Sequence, residues 1–107
     1  MKTLVEIKEF NKNTTVTTVY VEGMDYPYFF INGESLGWGE YIDFSNFNPF
    51  KALGFTEVTL TLTPSTDAYD YDIQDYLNEG LNLSVFLERI EVIKSNMEIK
   101  ITISRYN

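Results

Sequence analysis

The chain predicts an α+β domain: an antiparallel, largely meandering sheet of five or six strands with one or two helices packed on one face. Three observations carry that expectation. Apolar and polar residues alternate over 3–10, 55–63 and 98–105, the period of a strand with one buried face. Asn32-Gly33 sits between two β-prone runs as a tight hairpin turn. Ile73, Tyr76 and Leu77 fall at helical spacing, and Leu83, Phe86, Leu87, Ile90 and Ile93 repeat it.

From the N-terminus, Val5 and Ile7 oppose Glu6 and Lys8, as in a half-buried strand, and Asn11-Lys12-Asn13 breaks it. Thr14 to Val21 is almost wholly β-branched, which predicts a second strand and, with the first, a hairpin. Glu22-Gly23-Met24-Asp25 turns the chain. Tyr28 to Ile31 is then a strand leading into Asn32-Gly33, whose residues both tolerate positive φ, and a further strand is expected from Leu36 to Asp43. Gly37 and Gly39 on either side of Trp38 predict a bulge, or a place where another backbone comes close.

Asn48-Pro49 can cap and open a short helix that Gly54 ends. Phe55 to Thr63 sets Val58, Leu60 and Leu62 against Thr and Glu, the clearest strand in the chain, and Pro64-Ser65 ends it. Around Ile73, Asp70 or Asp72 is placed to cap the helix and Gly80 to close it. Residues 83–95 fit a helix, although Arg89 to Ile93 also fits one arm of a hairpin turning at Ser95-Asn96. Ile99, Ile101 and Ile103 alternate with Lys100, Thr102 and Ser104 in a closing strand.

A chain of 107 residues predicts a single compact domain over 1–107, and its eight Phe, eight Tyr and one Trp supply a core that a disordered acidic chain would lack. It contains neither Cys nor His. That removes disulfides, thiolate nucleophiles, Ser-His-Asp and Cys-His pairs and the usual zinc ligand sets, so no cofactor and no metal are expected. Charged residues interrupt the first ten positions, and no run approaches the ~20 apolar residues of a membrane span. The expected setting is cytoplasmic, the host-cell cytoplasm if the protein is viral, with no membrane partner.

Charge is the most segregated property. Twelve of the sixteen acids lie between Lys12 and Arg89, where Lys51 is the one base, and the net charge is −8. A field of this sign repels nucleic acid and anionic membrane and attracts basic protein surfaces. Within it, Asp67 to Tyr76 interleaves four aspartates with three tyrosines. Asp67, Asp70, Asp72, Asp75 and Glu79 would supply charge to a docking patch, and Tyr69, Tyr71, Tyr76 and Trp38 would supply contact area. The plain alternative is a solvated acidic helix start, where carboxylates only offset the helix dipole.

Other patterns are weaker. Asp70-x-Asp72-x-x-Asp75 lacks the glycine and distal Glu of a calcium loop. Trp38, between glycines and beside Glu34 and Glu40, is a hot spot or stacking platform if exposed and a core ring at a bulge if not. Its Gly-x-Gly carries no nucleotide signal. The aromatic run from Tyr26 to Phe30, with Phe44, Phe47, Phe50 and Phe55, is mostly core material, and any members exposed together would mark a partner surface. A glycosidase-type carboxylate pair is the only catalytic arrangement open to the chain, and with so many acids mere proximity identifies none, so no enzyme is expected.

These properties together lead to a small acidic, non-enzymatic protein that binds and inhibits another. The expected partner is a protein with a basic surface, such as a nuclease or other nucleic-acid-binding protein, because rows of carboxylates can imitate duplex phosphates. Viral anti-defence inhibitors, such as anti-CRISPR or anti-restriction proteins, and toxin-immunity proteins both use this physics. A structural or assembly subunit that self-associates is the alternative, and a small-ligand module using Trp38 and the tyrosines is a third reading.

Overall fold

The computed structural model describes residues 3–4, 12–43 and 54–106. In chain order these form strands β1 (Thr3–Leu4), β2 (Thr15–Val21), β3 (Tyr28–Ile31), β4 (Glu34–Trp38), β5 (Ile42–Asp43) and β6 (Phe55–Pro64), helices α1 (Asp67–Asn78) and α2 (Leu83–Ile93), and strand β7 (Met97–Tyr106). Five strands make one sheet in the order β4-β3-β2-β6-β7, and β1 pairs with β5 in a separate parallel ladder. The α+β class is as expected.

The sheet is mixed rather than wholly antiparallel. β2, β3 and β4 form the expected meander and β6 pairs antiparallel with β7, but β6 runs parallel to β2 from Thr15↔Thr56 to Val21↔Leu62. β2 is therefore a central strand, and Val16, Thr17, Thr18 and Val19 are all buried, so both its faces are covered. An unbroken β-branched run suits such a strand, where alternation would suit a half-solvated one. The same geometry overturns the first hairpin. β3 holds one edge of β2 and β6 the other, so the N-terminal segment has no edge of β2 to join, and Thr3–Leu4 pairs instead with Ile42–Asp43. The rest of that segment, the helix expected at Asn48-Pro49, and Phe44, Phe47 and Phe50 lie outside the described residues.

Asn32 and Gly33 adopt φ of 52° and 81° and join Ile31 directly opposite Glu34, the two-residue turn that their sequence implies. Asn32 also ties this turn to β2: its N–H donates to the Thr15 carbonyl at 2.8 Å and its Oδ1 accepts from the Thr15 N–H at 2.9 Å. The strand expected to reach Asp43 stops at Trp38 and gives way to a 3₁₀ turn at Gly39–Tyr41. Both meanings of the flanking glycines are realised. Register shifts by a bulge between Phe29 and Phe30, opposite Gly37 at φ 136°. At Gly39 the N–H donates to the Pro27 carbonyl at 2.7 Å, and a Cβ would stand 3.2 Å from the Phe29 ring.

Both helices pack on one face of the sheet. Val19, Val21, Tyr28, Phe30, Leu60 and Leu62 from the strands bury against Ile73 and Leu77 of α1 and Phe86 and Ile90 of α2. Fully burying each such side chain is worth about 1.5–3 kcal/mol, so this face holds the helices in place. A smaller cluster of Val16, Ile42 and Phe55 occupies the other face. Residues 83–93 are helical, with Asn82 Oδ1 capping through the Val85 N–H at 3.0 Å, and a 3₁₀ turn at Lys94–Asn96 leads into β7. Gly80, at φ 69°, closes α1 as its position implies. Asp70 and Asp72, expected at the cap, stand inside the helix, because it begins three residues earlier at Asp67 after Thr66. Among the described residues no helix is long and apolar enough to cross a membrane.

Candidate acidic cleft

Where the β2–β3 turn, the 3₁₀ turn after β4 and one side of α1 meet, they enclose a cleft of about 670 Å³. Each wall has a local cause. Gly23, at φ 92°, bends the β2–β3 turn so closely over α1 that a Cβ there would lie 3.8 Å from Asp70 Oδ2. This turn delivers Asp25 and Tyr26. The close approach of Gly39 to Pro27 folds the chain after β4 into the 3₁₀ turn that presents Glu40 and Tyr41. Helical spacing then sets Asp70, Tyr71, Gln74 and Asn78 along one side of α1, because Ile73 and Leu77 are turned into the core.

Trp38 is half-buried at the junction, which reconciles the two readings of it. One part of the ring belongs to the core, meeting Tyr28 edge-on at a centroid distance of 5.2 Å, and another part lines the cleft. Its indole N–H donates to Asn78 Oδ1 at 2.7 Å, a bond that fixes the ring and ties β4 to α1. Tyr28 beneath it hydrogen-bonds Ser35 through its hydroxyl.

The helix divides the residues expected to form one patch. Asp67 is the first residue of α1, Asp70 and Tyr71 line the cleft, and Tyr69 is half-buried. Asp72 and Asp75 are exposed on the outward side, away from the cleft. Tyr76 packs against the core, with the Arg89 guanidinium 5.4 Å from its ring, and Arg89 also pairs with Glu79 at 2.6 Å. Tyr76 and Glu79 are thus engaged inside the chain by α2.

Asp25, Tyr26, Glu40 and Tyr41 join the site from the two other segments with candidate patterns, Glu40 beside Trp38 and Tyr26 in the aromatic run, which the sequence does not connect with the acids of α1. Each of the two turns pairs an acid with a tyrosine, as Asp70-Tyr71 does in α1, and sets that pair just after a glycine, Gly23 or Gly39. Around the opening Tyr26 is 48%, Tyr41 53% and Tyr71 68% exposed, an aromatic group on the surface together. Three carboxylates, Asp25, Glu40 and Asp70, share the lining, and no lysine or arginine is among the described lining residues. Among the described residues no three acids converge closely enough to hold a metal ion. The cleft can therefore focus negative potential over a wide aromatic wall without gathering it to a point. Comparison of the chain with protein-family models, curated proteins and solved structures gave no match.

Proposed function

We propose that this protein is a non-enzymatic inhibitor that docks through its acidic cleft onto the basic surface of another protein, one that normally handles nucleic acid. The observation that carries the reading is the joining of three acids and three exposed tyrosines from three chain segments around one opening with no cation in its described lining. Tyrosine offers rigid contact area at low entropic cost, and carboxylates of one sign accelerate encounter with a basic partner. Asp72 and Asp75, facing outward, add to the steering field without belonging to the contact surface. Viral anti-defence proteins and toxin-immunity proteins are the two settings that this physics fits.

The test is affinity capture from nuclease-treated lysate of the source cells with elution by a salt gradient, followed by assay of whatever is recovered. Support is a stoichiometric nucleic-acid-handling protein, released by salt, whose activity falls when the native chain is added and not when the E40Q/D70N variant is added. Recovery of this chain alone would overturn the reading.

A second reading rests on a different surface. β7 is an edge strand among the described residues, and Ile101 and Ile103 on it are each 61% exposed, on the same face as the buried Leu60. Long edge strands with exposed apolar residues are templates for pairing with another chain. Self-assembly through this edge predicts a concentration-dependent sedimentation coefficient that I101K abolishes.

A further inference from the structure

We infer that the cleft is selective for the arginine side chain, and that arginine rather than lysine is what it reads on the partner. The inference rests on the docking role proposed above and specifies its chemistry. Asp25, Glu40 and Asp70 come from separate walls and do not converge as a small hard cation requires. A guanidinium is the cation that matches such a distribution: planar, delocalised and weakly hydrated, it stacks on aromatic faces while its N–H groups reach carboxylates in several directions. Tyr26, Tyr41 and Tyr71 offer those faces at the surface. A lysine ammonium concentrates its charge in one strongly hydrated group and gains less from a spread set of carboxylates and rings. The wall is also preorganised, since Trp38 is already held by Asn78 and by Tyr28. Binding therefore need not order that ring.

Trp38 is the only tryptophan in the chain, so its emission reports on one place, the wall between the cleft and the core. The probes are two short peptides of equal length and charge, one with arginine and one with lysine at every basic position, together with polylysine. The expected result is a saturable change in Trp38 emission with the arginine peptide and at least about tenfold weaker binding of the lysine peptide. Y71A and E40Q should each weaken the arginine peptide several-fold with an unchanged circular dichroism spectrum. E88Q, which removes one charge from exposed α2 surface outside the cleft, should leave its affinity within about twofold. Equal binding of the two peptides and of polylysine, all lost in E40Q, would overturn arginine selectivity and leave the docking cleft standing. No emission change with any probe would overturn both.

Discussion

The two exposed sides of α1 differ less in composition than in surroundings. Asp70 and Tyr71 face a cleft completed by the β2–β3 turn and the 3₁₀ turn, whereas Asp72 and Asp75 on the same helix face outward. Glu79 and Tyr76 also leave the cleft but are drawn onto Arg89 of α2. An acidic helix becomes a candidate site only where other chain segments add aromatic walls and more charge of the same sign. Where they add nothing the acids are solvated, and where they add a cation the charge is neutralised within the fold. Acid-tyrosine composition is therefore a poor guide to which residues act together.

The largest break in that comparison should come from Ile73, fully buried between the two sides of α1. I73A should cost about 2–5 kcal/mol in denaturant unfolding and weaken both sides together, because the helix loses its hold on the sheet. G39A should separate them. Its new Cβ would stand 3.2 Å from the Phe29 ring and 3.3 Å from Pro27 Cδ, so the ring, the proline or the 3₁₀ turn has to give by a few tenths of an ångström, at no more than about 1–3 kcal/mol. Trp38 emission should change, while the Arg89–Glu79 pair, probed by the stability loss on E79Q in the G39A background, should not.

N78A is the next smaller effect, removing the acceptor of the indole N–H at about 1 kcal/mol. A red-shifted Trp38 emission would confirm that Asn78 holds the ring at the cleft wall; an unshifted spectrum would show that core packing alone suffices. On the outward side E79Q should cost no more than about 1 kcal/mol, since the pair with Arg89 is largely exposed to solvent. D72N/D75N should be smallest of all in stability, within about 0.5 kcal/mol. Association with polylysine should nonetheless be slower and less salt-dependent in this variant, while the dissociation rate stays near that of the native chain. A raised dissociation rate would place Asp72 and Asp75 in the contact surface and erase the distinction between the two sides.

Local patterns with one dominant physical cause could be read from the residues directly. Asn32-Gly33 is a turn because both positions must take positive φ, and Phe55 to Thr63 is a strand because its alternation admits no other period. The spacing of Phe86 and Ile90 points to the α2 helix, but Arg89 to Ile93 fits a hairpin arm as well, and the structure decides for the helix, capped by Asn82. The parallel β2–β6 pair was harder. Its sign lies in the β-branched run from Thr14, which by itself gives strand propensity and shows burial on two faces only once β3 and β6 are placed beside it. The acids of α1 were legible as a charged segment, but not which of them would share a cleft with Asp25 and Glu40.

Composition, turn positions, strand and helix periods and the field of an acidic chain were thus determined by the sequence itself, because each depends on residues near one another or on a sum over all of them. Tertiary structure decided which strand sits at the centre of the sheet, that Tyr76 and Glu79 are taken up by Arg89, and that Trp38 stands with Asp25, Glu40 and Asp70 around one opening. Those are meetings between segments far apart in the chain. They arise from burying one common apolar face, and the residues that meet at its rim carry no local mark of it.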